Sequence, residues 1–271
     1  MYLFEGFRRY GAEIVYVKSP DSMRSDLQAV LEAIDERTVL VPLSYVLFKS
    51  AFIQDVAAVI EKAHRVGARV ILDVYQGAGT VPMQIEALRA DFAVGGSVKW
   101  LCGGPGAGFL YVRPDLAPEL SPGIVGWAAH AQPFLFAGGA IAYADAPERF
   151  QSGTPNVPSL YSARAGYEIV AQIGVPAIRE KSLRLTKRII DLAGEAGYRV
   201  NTPEKDSERA GAVIIDVPDG NRVADELIRR EVIVDYRPGA GIRMAPHFYN
   251  TVEEIEHAMD VLSQIVNQGR G

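Results

Sequence analysis

Between Val70 and Arg113 the chain reads VILDVYQGAGTVPMQIEALRADFAVGGSVKWLCGGPGAGFLYVR, and this stretch constrains the fold more than any other. Val70, Ile71 and Leu72 form a continuous apolar run, the pattern of a strand covered on both faces. Asp73 ends that run. It therefore sits where the strand leaves its sheet, the place where open α/β sheets bind ligands. Lys99 stands between two glycine-rich segments, Gly95-Gly96-Ser97-Val98 before it and Gly103-Gly104-Pro105-Gly106 shortly after it. Glycines there let the backbone take positive φ or let a neighbour approach closely.

Around this stretch, strand-like and helix-like runs alternate. Glu13–Val17, Thr38–Val46, Val70–Leu72, Phe92–Val94 and Gly108–Val112 read as strands. Asp26–Ile34 and Phe52–Val66 read as helices, with a short helix expected near Ile85–Leu88. Residues 1–11 read as the end of a helix, stopped by Gly11. This alternation specifies an α/β fold with a mostly parallel sheet sandwiched by helices. From 114 to 157 prolines punctuate a long loop region, a length that in compact domains usually serves function. Tyr161–Gly197 then reads as one or two long helices. Strands Ala212–Val217 and Val232–Asp235 flank a helix over Arg222–Arg230. A short strand at Gly241–Ala245 and a final helix at Val252–Val266, capped at Asn250-Thr251, complete the chain. The expected division is a large ligand-binding domain over 1–157 and a small C-terminal α+β domain over 158–271.

The composition is that of an ordinary globular protein, with a net charge of −5 and no basic block, which argues against nucleic acid as a partner. No apolar run reaches the ~18 residues of a membrane span, and the start lacks the order of a signal peptide. The single cysteine, Cys102, excludes an internal disulfide framework, fits a reducing cytoplasm, and is expected to be a small buried residue. None of the four histidines pairs with another ligand at zinc spacing, so no metal is expected.

The residues alone leave two readings of Asp73 and Lys99 open. In one, Asp73 caps the next element and Lys99 is solvated, as lysines commonly are. In the other, the pair serves pyridoxal 5'-phosphate (PLP). Lys99 would form a Schiff base with the cofactor aldehyde. Asp73 would hold the pyridine nitrogen protonated, so that the ring accepts electrons from a substrate carbanion. A Ser97–Lys99 amidase dyad fits poorly, because no oxyanion loop or second serine accompanies it.

Three ordered motifs bear on this choice: Asp73-Val74-Tyr75-Gln76; Ala90-Asp91-Phe92 with Gly95-Gly96-Ser97-Val98-Lys99-Trp100; and Gly103-Gly104-Pro105-Gly106 with Gly108-Phe109-Leu110-Tyr111-Val112. Together they resemble the class V aminotransferases, fold-type I PLP enzymes that include kynureninases, cysteine desulfurases and small-acid aminotransferases. The resemblance implies roles residue by residue. Gln76 lies beside the cofactor's phenolic oxygen, with a turn residue as its plain alternative. Ser44 matches a small hydroxyl near the cofactor, or is simply a strand-end hydroxyl bonded to backbone. Gly126-Trp127-Ala128-Ala129-His130 resembles a kynureninase segment in which the tryptophan helps bind the PLP phosphate, often across a dimer. Thr154 in Gly153-Thr154-Pro155 would add a phosphate contact from a partner subunit. Arg243, in Gly241-Ile242-Arg243-Met244-Ala245-Pro246, would clamp the substrate α-carboxylate, for which a planar guanidinium is suited.

The resemblance thus implies a cytoplasmic homodimer with shared active sites, acting on a small amino acid. Two departures bear on the reaction. Kynureninases carry a tyrosine just before the Schiff-base lysine, where this chain has Val98. Desulfurases need a cysteine on a mobile loop, and Cys102 is too close to Lys99 to be it. An aminotransferase-like enzyme is therefore expected first and a kynureninase-like hydrolase second. Nothing before Ser44 matches the family's own N-terminal phosphate-binding parts. The expectation is a chain lacking that part, through an internal start at Met1. An inactive fragment, or one subunit of a split enzyme, is the reading of another class.

Overall fold

The computed structural model describes residues 2–136 and 138–269. A short helix α1 (Tyr2–Glu5) runs into a tight turn ended by Gly11 at φ +89°. Helix α2 (Leu27–Glu32) starts where the Asp26 carboxylate accepts the Ala29 N–H. Strand β1 (Leu40–Ser44), helix α3 (Val56–Arg65), strand β2 (Arg69–Asp73), strand β3 (Phe92–Gly96) and strand β4 (Gly108–Val112) follow. They form a sheet in the order β1-β2-β3-β4, parallel except for β4. Helix α3 lays Val56, Val59, Ile60 and Ala63 on Val70 and Leu72 of β2, and this apolar layer fixes the strand whose end carries Asp73.

Helices α4 (Val157–Ile173) and α5 (Val175–Glu195) are separated at Gly174, whose φ of +85° a helix cannot accommodate. A second sheet contains β5 (Arg199–Val200), β6 (Val213–Asp216), β7 (Asp235–Arg237) and β8 (Gly241–Met244) in the order β5-β6-β8-β7, all antiparallel. Helix α6 (Gly220–Arg229) and helix α7 (Val252–Gln268) cover it together with α5. Thr251 caps α7 in a reciprocal box with Glu254, as the Asn250-Thr251 pair suggested. A third apolar cluster, including Val46, Val81, Ala212 and Ile214, joins the two sheets and backs the cleft between them. No helix among the described residues is long and apolar enough to cross a membrane.

The α/β reading therefore holds, with local corrections. Glu13–Val17 is not a strand: it is an extended, exposed segment with Val15 63% accessible. Alternation alone cannot make a strand without a partner ladder, and β1 leaves its outer edge unpaired at Val39 and Leu40. Ile85–Leu88 is a set of turns rather than a helix, closed off at once by Arg89 at φ +54°. A single turn does not recover the cost of helix nucleation. Helix α3 starts at Val56, not Phe52, because Asp55 caps it by accepting the Ala58 N–H at 3.1 Å.

Candidate active site

The parallel strands β1 and β2 end side by side, with Ser44 paired in register to Asp73. Both residues line a cavity of about 430 Å³ that also takes in Tyr75, Gln76, Lys99, Arg237 and Arg243. A smaller cavity of about 220 Å³ adjoins it and shares Val46, Phe48, Gln76, Lys99 and Arg243. The structure thus brings Ser44, Asp73, Gln76, Lys99 and Arg243 to one cleft, Arg243 arriving from the second sheet. Trp127 and Thr154 do not line either cavity. Trp127 lies against Gly153, where an added Cβ would sit 3.1 Å from its Nε1, and forms an exposed aromatic cluster with Phe134 and Phe136.

The turn that carries Lys99 is fixed by Ser97. Its buried hydroxyl lies 2.9 Å from both the Gly104 and Ala107 carbonyls, and its N–H donates to the Ala107 carbonyl. A hydroxyl so engaged holds the turn and does not serve as a nucleophile. Gly104 and Gly106 take φ of +70° and +94°. Gly96 is needed for a different reason: a Cβ there would lie 2.7 Å from the Tyr75 hydroxyl. Tyr75 in turn receives the Lys99 ammonium over its ring at 4.5 Å, a contact worth about 0.5–1 kcal/mol at exposed sites and more when desolvated. The Tyr75 N–H donates to Asp73 Oδ1 at 2.9 Å, which ties the carboxylate to the same floor.

Burial is the main cause that holds Lys99 below the ordinary lysine range, and the Arg243 and Arg237 guanidiniums act in the same direction. Asp73 and Asp235 oppose them. A lowered value means that the neutral, nucleophilic amine appears at lower pH than on a free lysine. Reagent labelling of Lys99, followed by mass spectrometry against pH, is expected to titrate below the ordinary lysine value. Asp73→Asn should move that midpoint lower still and Arg243→Gln should move it higher. A wild-type midpoint at or above the ordinary value would refute this electrostatic account.

Arg243 has the partner its apolar neighbours demanded. Its Nε and Nη2 donate to Asp235 at 3.0 and 2.6 Å, and its Nη1 donates to the Phe48 carbonyl at 3.2 Å. Asp235, Phe48 and the Tyr75 ring are site residues that the sequence reading missed. Cys102 corrects another expectation, because it is exposed rather than buried. Its Sγ lies 3.4 Å from Nε2 of His247, a buried histidine stacked on Tyr249 and lining the smaller cavity. Burial holds the Cys102 thiol above its usual range, so it is not an activated nucleophile.

Residues 5–257 match the family model described as "Aminotransferase class-V". The chain belongs to the class-V aminotransferase family. It is 34% identical over 230 residues to the Bacillus subtilis (strain 168) protein named "Uncharacterized aminotransferase YcbU", covering 85% of this chain and 60% of that one. It is 30% identical to a kynureninase of Pseudomonas fluorescens, over 99% of this chain and 65% of the relative. The chain thus spans about 60–65% of the length of these curated relatives. Among solved structures, a cysteine desulfurase of Thermococcus onnurineus NA1 superposes with a TM-score of 0.86 at 24% identity, covering 98% of this chain and 69% of that one. That likeness establishes the fold, which is the fold type I of PLP-dependent enzymes.

Proposed function

We propose that this class V family member is a PLP-dependent enzyme acting on an α-amino acid, with Lys99 as the amine that carries the cofactor. The observation that supports it is the meeting of a lysine, a carboxylate, an amide and an arginine in one cleft at the ends of parallel strands. This donor set fits PLP: Lys99 suits the aldehyde, Asp73 the pyridinium nitrogen, and Gln76 the phenolic oxygen. When bound, PLP supplies an electron sink for the bond that breaks at the substrate α-carbon. The chain's own residues do the rest. Asp73 keeps the ring nitrogen protonated. Arg243 orients the α-carboxylate. Lys99, with its depressed basicity, takes and returns the α-proton. Trp127 and Thr154, outside the cleft of their own chain, suit phosphate contacts to a second subunit in a homodimer. The residues 1–157 and 158–271 then act as the two jaws of the site.

Transamination is the reaction we favour, in the cytoplasm. Kynureninase-like hydrolysis is the second reading, favoured by relatives of that name at 30% identity. It lacks a tyrosine before the lysine, where Val98 stands. Cys102, engaged by His247 on the turn after Lys99, does not suit sulfur transfer.

The test is the visible spectrum of the purified chain with added PLP, followed by borohydride reduction and peptide mapping. A yellow chromophore with the reduced cofactor fixed on Lys99 is the expected outcome. No chromophore and an unmodified Lys99 would overturn the reading for this chain on its own and favour a fragment or one subunit of a split enzyme.

A further inference from the structure

Strand period places Asp235 and Arg237 on the same face of β7, and cross-strand register sets Asp235 opposite Arg243 on β8. The two guanidiniums share this single carboxylate. Arg243 holds it with a two-pronged contact and spends Nη1 on the Phe48 carbonyl. Arg237 reaches the same Asp235 Oδ2 through Nη2 alone. Its Nε is buried and has no partner, and its guanidinium lies 5.9 Å from the centre of the Phe48 ring. Both arginines line the larger cavity beside Lys99. The cleft therefore brings three cations against two carboxylates, Asp73 and Asp235. A buried guanidinium N–H without an acceptor is costly unless a ligand supplies one.

One carboxylate from a substrate would occupy Arg243 and leave Arg237 still short of an acceptor. We propose that Arg237 is a second anion-binding residue of this cleft, and that the substrate is an α-amino acid with an acidic side chain. This rests on the reading of the cleft as an amino-acid site. The α-carboxylate goes to Arg243 and the side-chain carboxylate to Arg237. The two forks already meet at one oxygen of Asp235, a spacing suited to a short acidic side chain. Arginine suits this role better than lysine because its fork pairs with both carboxylate oxygens.

The anion at Arg237 could instead be the cofactor phosphate, so the experiment separates the two sources. The chain, after addition of PLP, is titrated calorimetrically with glutarate and with valerate, which have equal carbon counts and two or one carboxylates. Glutarate is expected to bind about tenfold or more tightly, about 1.4 kcal/mol. Arg237→Gln should collapse that ratio towards one, and Arg237→Lys should retain part of it. In parallel, capture of PLP and of unphosphorylated pyridoxal is compared in wild type and Arg237→Gln. Equal affinity for glutarate and valerate in the wild type overturns the proposal. So does a variant that keeps the ratio, or one that loses capture of PLP while keeping that of pyridoxal. If Arg237→Gln does not fold, the wild-type ratio and Arg237→Lys decide. Failure of Lys99 to take up PLP counts against the proposed function, whereas the dicarboxylate ratio on the chain alone still reads this inference.

Discussion

Replacing Lys99 by alanine is expected to abolish borohydride-fixed cofactor on the chain completely while leaving its thermal stability undiminished. Lys99 is the one lysine among the described residues that lines either cavity, so no other amine is positioned to replace it. The stability half of the expectation follows from the electrostatics. A lysine pushed below its ordinary range is one whose ammonium the fold disfavours, by burial first and by Arg243 and Arg237 next. Removing it sacrifices the contact with the Tyr75 ring, about 0.5–1 kcal/mol, and relieves a desolvated cation beside two guanidiniums. Active sites commonly hold such unfavourable charge, and their neutralised variants are as stable or more so. Asp73→Asn makes the contrast: the amine remains, so the label on Lys99 persists, although the ring nitrogen loses its counter-charge. The checks are peptide mapping after reduction and a melting curve. A fixed cofactor on Lys99→Ala at any other lysine, or a melting temperature well below wild type, would contradict the assignment.

Residues whose chemistry is local were legible in the sequence. Asp73 could be placed because a continuous apolar run has one end, and Lys99 because the glycines around it announce tight turns. The α/β architecture followed from the alternation of periodicities. Partners set by distant register were not legible. Asp235 becomes a partner of Arg243 only when β7 and β8 pair, and Phe48 only when the two sheets close on each other. Glu13–Val17 shows the converse failure, a good local pattern without a ladder to join. Cys102 lies among apolar and glycine neighbours that suggested burial, yet its turn projects from the surface at φ +53°. Asp91, by contrast, was visible only as part of a motif, and its role is structural.

That role gives the largest expected loss of stability in the chain. The Asp91 carboxylate is 2% exposed and serves three elements at once. Its Oδ2 lies 2.9 Å from His64 Nε2 at the end of α3 and accepts the Val70 N–H at 2.7 Å where β2 begins. Its Oδ1 pairs with Arg113 at 2.9 Å, just beyond β4. Asp91→Ala would leave a backbone N–H orphaned inside the protein and a largely buried guanidinium short of a counter-charge. Breaking a buried pair from one side costs about 3–5 kcal/mol, a large fraction of the stability of a typical domain. Asp91→Asn keeps an oxygen for Val70 and loses only the charge, so it should cost distinctly less. Denaturant unfolding of the two variants measures both values. The consequence reaches the site, because β2 is five residues long and carries Asp73 at its far end. Under conditions where Asp91→Ala is still folded, the start of the strand loses its anchor. Hydrogen exchange at Val70 and Ile71 should then quicken more than at Ile242 in the second sheet. Uniform quickening across both sheets would show that Asp91 stabilises the whole chain as one unit rather than anchoring the strand that positions Asp73.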